Sequence, residues 1–132
     1  MTSPSQVSFK IHKLQHIAFG VCYKEVVRKM GYTWTGNCCC YEGFQGCGIY
    51  LLYYDGKIYS QSREEDERVQ ATRAFQVGDT VTVEFDPATA CITYSLDGKS
   101  FSQKTSINSS TTQPVTFFAL LSGENNDLSC VN

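Results

Sequence analysis

Seven cysteines and two histidines are the residues of this 132-residue chain best equipped for chemistry. Cys38, Cys39 and Cys40 are consecutive, and Cys47 follows after six intervening residues. Structural zinc is normally gripped by thiolate pairs roughly two to four residues apart, because both ligands must reach one tetrahedral ion from a tight turn. The spacing here does not offer that, so these four read as plain loop thiols and no metal or cofactor is expected. An odd count with three adjacent members also fits poorly with a disulfide scaffold. Cys22, Cys91 and Cys130 fall in strand-like runs and read as small buried hydrophobes, a common fate of free cysteine. His12 and His16 stand four apart on a segment that reads as strand and turn, so they share no helical face. Cys22 with His16 is a poor nucleophile and base, since both lie in one strand region. Without a phosphate cradle, a nucleophile elbow or a metal signature, the chain reads as non-catalytic.

Recognition chemistry is better represented. The stretch 31–48 holds Tyr32, Trp34, Tyr41 and Phe44 among glycines at 31, 36, 43, 46 and 48. Aromatic rings on loops give large contact area at little entropic cost, and Trp and Tyr dominate binding hot spots. The competing role for these rings is to seal the end of the fold, since Trp is usually largely buried. Eleven basic against thirteen acidic residues leave a net charge of -2. That balance lacks the basic face expected of a duplex nucleic-acid binder or of a protein drawn to anionic membranes. Met1-Thr2-Ser3-Pro4-Ser5 has neither a basic nor an apolar leader character. The longest apolar runs, Ile49 to Tyr54 and Phe117 to Leu121, are too short to cross a bilayer. An intracellular, cytoplasmic protein is expected.

The elements that must position such loops are strands. Val81, Val83 and Phe85 alternate with Thr80, Thr82 and Glu84; Ile92, Tyr94 and Leu96 alternate in the same way. Asp86-Pro87 starts a turn between them. Asp55-Gly56 and Asp97-Gly98 mark two more hairpins, each expected to be a two-residue type I′ turn because glycine accepts positive φ. Val7 to Ile11, His16 to Cys22, Pro114 to Leu121 and Asp127 to Val131 supply further strands. Ile49–Tyr54 and Val115–Leu121 are apolar on both faces, which predicts central strands covered on each side. Phe85 and Phe117 are expected in the core. One short helix near residues 24–30 is indicated by Val26, Val27 and Met30 on one face and Gly31 as the stop. The charged run Arg63–Arg68 reads as a solvated loop. Length and pattern predict one all-β domain over 1–132, a bent antiparallel β-sandwich of two sheets.

An ordered set of segments resembles the SPRY family. Phe75-Gln76-Val77-Gly78-Asp79 leading into Thr80–Asp86 is similar to that family's Gly-Asp turn and strand. Ile92–Leu96 with Asp97-Gly98, the strand His16–Cys22 ending in a Gly-Val step, and the closing pair Pro114–Ser122 and Leu128–Asn132 match in order. SPRY domains usually carry a further strand before the position of Val7, where only six residues stand here. The resemblance therefore implies either a domain cut from a longer chain or an unpaired edge. It implies a module without chemistry that binds a short peptide or a protein surface through loops at one end, as in ubiquitin-ligase adaptors. Residues carried over are Tyr32, after Gly31, and the cluster Leu121-Ser122-Gly123, in which the family's frequent Trp is missing. With the loop aromatics they make the candidate surface Tyr32, Trp34, Tyr41, Phe44, Leu121, Ser122 and Gly123. The alternative from another class is a carbohydrate-binding sandwich, for which Glu124-Asn125-Asn126-Asp127 is the one group resembling a calcium-ligand cluster.

Overall fold

Alternating side chains give the chain its architecture, because each strand can turn its apolar set to one side only. In the computed structural model, which describes residues 3–25, 50–60, 69–105, 107 and 114–131, the described residues form ten strands. These are β1 (Ser5–Lys13), β2 (His16–Tyr23), β3 (Tyr50–Tyr53), β4 (Lys57–Ser60), β5 (Val69–Gln70), β6 (Thr80–Asp86), β7 (Cys91–Leu96), β8 (Lys99–Lys104), β9 (Val115–Ser122) and β10 (Asp127–Val131). They build two antiparallel five-stranded sheets, in the orders β10-β1-β6-β7-β8 and β5-β4-β3-β2-β9. The expected all-β, two-sheet sandwich is what the chain forms.

Ile11, Val81, Val83, Phe85, Ile92 and Tyr94 of the first sheet meet Ile17, Phe19, Val21, Leu52 and Ile58 of the second, all fully or almost fully buried. Phe9 stacks on Phe19 with ring centroids 4.7 Å apart, linking the sheets through an aromatic contact. The outer faces differ. On the first sheet, Ser8 bonds Thr82 and Thr93 bonds Ser102, each at 2.8 Å, so hydroxyl pairs ladder across strands. On the second, Ala18, Cys22 and Leu51 are buried although they face away from the core. Gly20 lies among them, and a Cβ there would sit 1.9 Å from the carbonyl oxygen of Tyr50.

Several expectations change. Among the described residues the β9 segment is not central: β2 is its one neighbour there, so its apolar second face lies on the outermost described strand, and Phe117 is half-buried. The N-terminal strand is not an edge, since β1 pairs with both β10 and β6. Cys22 is buried, but Cys91 is only partly covered and Cys130 is exposed on edge strand β10. Asp97-Gly98 is the expected two-residue turn, with φ of 56° and 73° between paired Leu96 and Lys99. Asp55-Gly56 is not. There Gly56 N–H donates to Tyr53 O at 2.8 Å and Gly56 alone has positive φ, which makes a three-residue loop. The addition of β5 explains it, because Ala71 and Thr72 N–H both donate to Gly56 O. Of the expected helix, Lys24 and Glu25 have helical backbone and the rest lies outside the described residues, as does Arg63–Arg68.

Candidate functional site

Connectivity sorts the molecule into two ends. At one, β1 passes into β2 through Leu14 and Gln15, and β9 passes into β10 through residues 123–126. Two of the three hairpin turns among the described residues, 54–56 and 97–98, lie at this corner end, and the third, 87–90 between β6 and β7, lies at the other. The strand ends that flank the connections 24–49, 61–68 and 105–114 lie at the other, the loop end, as the strand directions and registers require.

Leu121, Ser122 and Gly123 belong to the corner end. Leu121 is 49% exposed, and Ser122 and Gly123 are exposed beside it. Gly123 has φ of 98°, and a Cβ on it would meet Oε1 of Gln15 at 2.1 Å. Any side chain here is both strained and obstructed, so glycine at this place is a requirement of the corner. Asn126 completes the bracket. Its Oδ1 accepts from Gln15 N–H at 2.7 Å and His16 N–H at 3.0 Å, while Nδ2 donates to Ser122 O at 2.8 Å. Asn125 N–H in turn donates to Gln15 Oε1 at 3.1 Å. The Glu124–Asp127 group thus spends its central amide on holding two inter-sheet crossings together, which leaves it ill suited to ligate calcium.

Tyr32, Trp34, Tyr41 and Phe44 lie outside the described residues, as do Cys38, Cys39, Cys40 and Cys47. The stems of their segment are described. Tyr23 and Tyr50 stand at the loop end of the second sheet, whereas Ser122 pairs with His16 at the corner end. The eight residues of β2 put the stem residue Tyr23 roughly 23 Å from His16 at the rise of a strand.

Among the described residues no group of three or more His, Cys, Asp and Glu is gathered that could hold a metal ion. Cys22 and His16 are not brought together, since they stand six residues apart on one extended strand, Cys22 buried and His16 exposed. His16 instead packs its ring on Tyr54, with centroids 4.9 Å apart. Burial, reinforced by Tyr54 and Asp55, raises the neighbouring Tyr53 hydroxyl above the ordinary tyrosine range. His12 Nε2 lies 2.8 Å from Ser129 Oγ, exposed on the outer face of the first sheet, where the pair links β1 to β10. No helix among the described residues is long and apolar enough to cross a membrane.

Sequence reasoning overlooked Arg73, the most heavily bonded side chain at the corner end. Its guanidinium forks onto Asp79 through Nη1 and Nη2, both at 2.9 Å. Nε and Nη2 reach Asp97 Oδ2, and Nη1 also donates to Ala74 O at 2.8 Å. All five N–H donors of the fork are engaged. Asp79 also accepts from Gln76 N–H at 2.6 Å, and its backbone oxygen accepts from Ile11 N–H at 2.9 Å. Bonding to Arg73, with help from Gln76, holds the Asp79 carboxyl below its usual range despite desolvation pushing the other way; the same bonds raise Arg73. One Arg between two separated Asp residues carries no local pattern, so no sequence signal could have found this clamp.

Compared with protein-family models and with curated proteins, the chain matches none.

Proposed function

We propose that this chain is a non-catalytic recognition module that binds a protein or a short peptide through loops at one end of its β-sandwich. The observation that carries the reading is the asymmetry of the two ends. A scaffold pinned by Arg73, Asn126 and tight turns at one end has the stems of its longest connection, 24–49, and of the connections 61–68 and 105–114 at the other. Binding residues tend to lie on loops held by a rigid frame, because loops can vary without disturbing the core. The longest of these connections is the one that contains Tyr32, Trp34, Tyr41 and Phe44. These four are the primary determinants in this proposal, and Leu121, Ser122 and Gly123 join them only if the 26–49 segment reaches back along β2. The ordered SPRY-like motifs add support. They extend the reading to an intracellular adaptor, of the kind that serves ubiquitin ligases, working within a larger protein.

The test is selection from a peptide display library with the wild-type chain, followed by affinity measurements on Tyr32→Ala, Trp34→Ala and Ser122→Arg. Tyr32→Ala or Trp34→Ala should each weaken the selected peptides by about 2 kcal/mol while the fold persists. Ser122→Arg reports whether the corner end takes part. Gly123→Arg is unsuitable because it would break the corner itself. Failure to enrich any peptide, or binding indifferent to both aromatic changes, would overturn the proposal. Selective binding on a glycan array would favour the sugar-binding alternative.

A further inference from the structure

One tripeptide occurs twice, as Asp55-Gly56-Lys57 and Asp97-Gly98-Lys99, and the fold treats the two copies differently. An aspartate followed by glycine can react with its own backbone, because glycine has no side chain to keep its amide nitrogen away from the carboxyl. The nitrogen attacks Cγ and a succinimide ring closes. The reaction needs a free nitrogen, a segment that can turn to bring it to Cγ, and water to open the ring.

Gly56 offers none of these. It is buried, its N–H donates to Tyr53 O at 2.8 Å, and its carbonyl oxygen accepts from Ala71 and Thr72. The Asp55 carboxylate accepts from Lys57 N–H at 3.1 Å, and Gln70 Nε2 donates to Asp55 O at 2.9 Å. Gly98 is the opposite case. It is exposed, nothing lies within 4 Å of a Cβ placed on it, and among the described residues no hydrogen bond engages its N–H. The Asp97 side chain is 56% exposed, and its φ of 56° lies where residues other than glycine sit at a cost. This turn is open to water and carries strain that opening would release.

One restraint remains. Arg73 holds Oδ2 of Asp97 through Nε and Nη2 while its own fork is anchored on Asp79. As long as those bonds last, the carboxyl is held against another segment of the chain and the turn keeps its shape. The ring can close only after the turn opens.

We infer that Asp97-Gly98 is a site of spontaneous covalent modification, passing through a succinimide to isoaspartate, and that Arg73 sets its rate. In the first step the Gly98 nitrogen bonds to Asp97 Cγ. The Cγ–hydroxyl bond of the protonated carboxyl breaks, and the hydroxyl leaves with the amide proton as water. In the second step water adds to the main-chain carbonyl carbon of Asp97, and the bond from that carbon to the Gly98 nitrogen breaks. Addition at Cγ instead restores aspartate. The water lost is returned and nothing is oxidised or reduced, so the composition is unchanged. The backbone through residue 97 becomes one carbon longer, and the free carboxylate sits one carbon closer to Cα. The longer turn no longer fits the Leu96↔Lys99 pair, and the shortened carboxylate withdraws from Arg73. Modification thus unties the β7–β8 turn from the clamp.

The experiment keeps the full chain folded at neutral pH and physiological temperature for weeks, beside a denatured sample, and locates isoaspartate by peptide mapping with electron-transfer fragmentation. In denaturant the two sites should react at similar rates, because Asp-Gly-Lys is common to both. In the folded chain isoaspartate should accumulate at residue 97 and stay near background at residue 55. Arg73→Gln should raise the rate at residue 97 by about two- to fivefold, the factor that an exposed ion pair contributes to a local opening equilibrium. Residue 55 should not change, and Asp97→Glu should remove the product, since its ring would need six members. A folded chain without isoaspartate at residue 97, when the denatured chain forms it, would overturn the inference, as would equal amounts at both sites. A rate at residue 97 that Arg73→Gln leaves unchanged, or raises only in step with residue 55, would overturn the part assigned to Arg73.

Discussion

At the corner end of the sandwich four of the five connections are two to four residues long and the fifth spans 71–79, and side chains distant in sequence tie them together: Arg73 to Asp79 and Asp97, Asn126 to Gln15 and His16. At the loop end Thr105 is tied to Ala90 through both its N–H and its hydroxyl. Yet Gln103, one layer further in, keeps Oε1 and Nε2 buried with no hydrogen-bond partner among the described residues. One end is thus built for rigidity, and the other tolerates an unsatisfied polar group. Buried groups of that kind lower stability, and natural proteins tend to concentrate such costs where function resides. The contrast teaches where substitutions should be expensive.

The largest effect should come from neither end but from the middle that both share. Phe85→Ala should cost about 3–5 kcal/mol, because Phe85 is fully buried on interior strand β6. Phe117→Ala, on edge strand β9, should cost clearly less. Chemical denaturation of both variants would reverse the assignment of edge and centre if the two losses came out equal.

Next comes the clamp. Asp79→Ala should lose about 2 kcal/mol, since it removes charge-assisted bonds to a guanidinium along with the brace on the Gln76 amide. A pH signature follows from the lowered carboxyl. Folding depresses the Asp79 pKa, so the unfolded chain binds the proton more readily. The contribution is fully present above the unfolded carboxyl value of about 3.9 and is lost as pH falls through the lower folded value. Asp79→Asn should flatten that acid-side loss in a series of melting temperatures. An unchanged slope would mean that the clamp contributes nothing.

A smaller loss, about 1 kcal/mol, is expected of Asn126→Ala, whose exposed corner bonds water can partly replace. At the loop end the sign should change. Gln103→Met replaces an unpartnered buried amide with an apolar chain of similar size and should raise stability by about 1 kcal/mol. Calorimetry showing a loss instead would reveal a bond made by that amide. Smallest of all, Tyr32→Ala should change stability by less than about 0.5 kcal/mol, as for a side chain whose use is in binding. A loss of several times that value would assign the ring to sealing the sandwich and would weaken the proposed function.

Much of this was legible in the chain alone. Period-two alternation in Thr80–Asp86 and Cys91–Leu96 identifies strands and their buried faces, since a strand offers its side chains to two sides by turns. Composition and spacing also determined the all-β class. Tertiary structure decided what depends on partners remote in sequence. Val115–Ser122 is apolar on both faces whether it is central or an edge, and only the strand order shows that β9 has one neighbour among the described residues. The clamp of Arg73, Asp79 and Asp97 exists because a hairpin turn and a loop meet in space. Two identical Asp-Gly dipeptides form different turns for the same reason: nothing contacts a Cβ placed on Gly98, whereas the β5 segment packs its backbone against Gly56. Local propensity sets which turns a dipeptide can make, and the surrounding backbone selects among them.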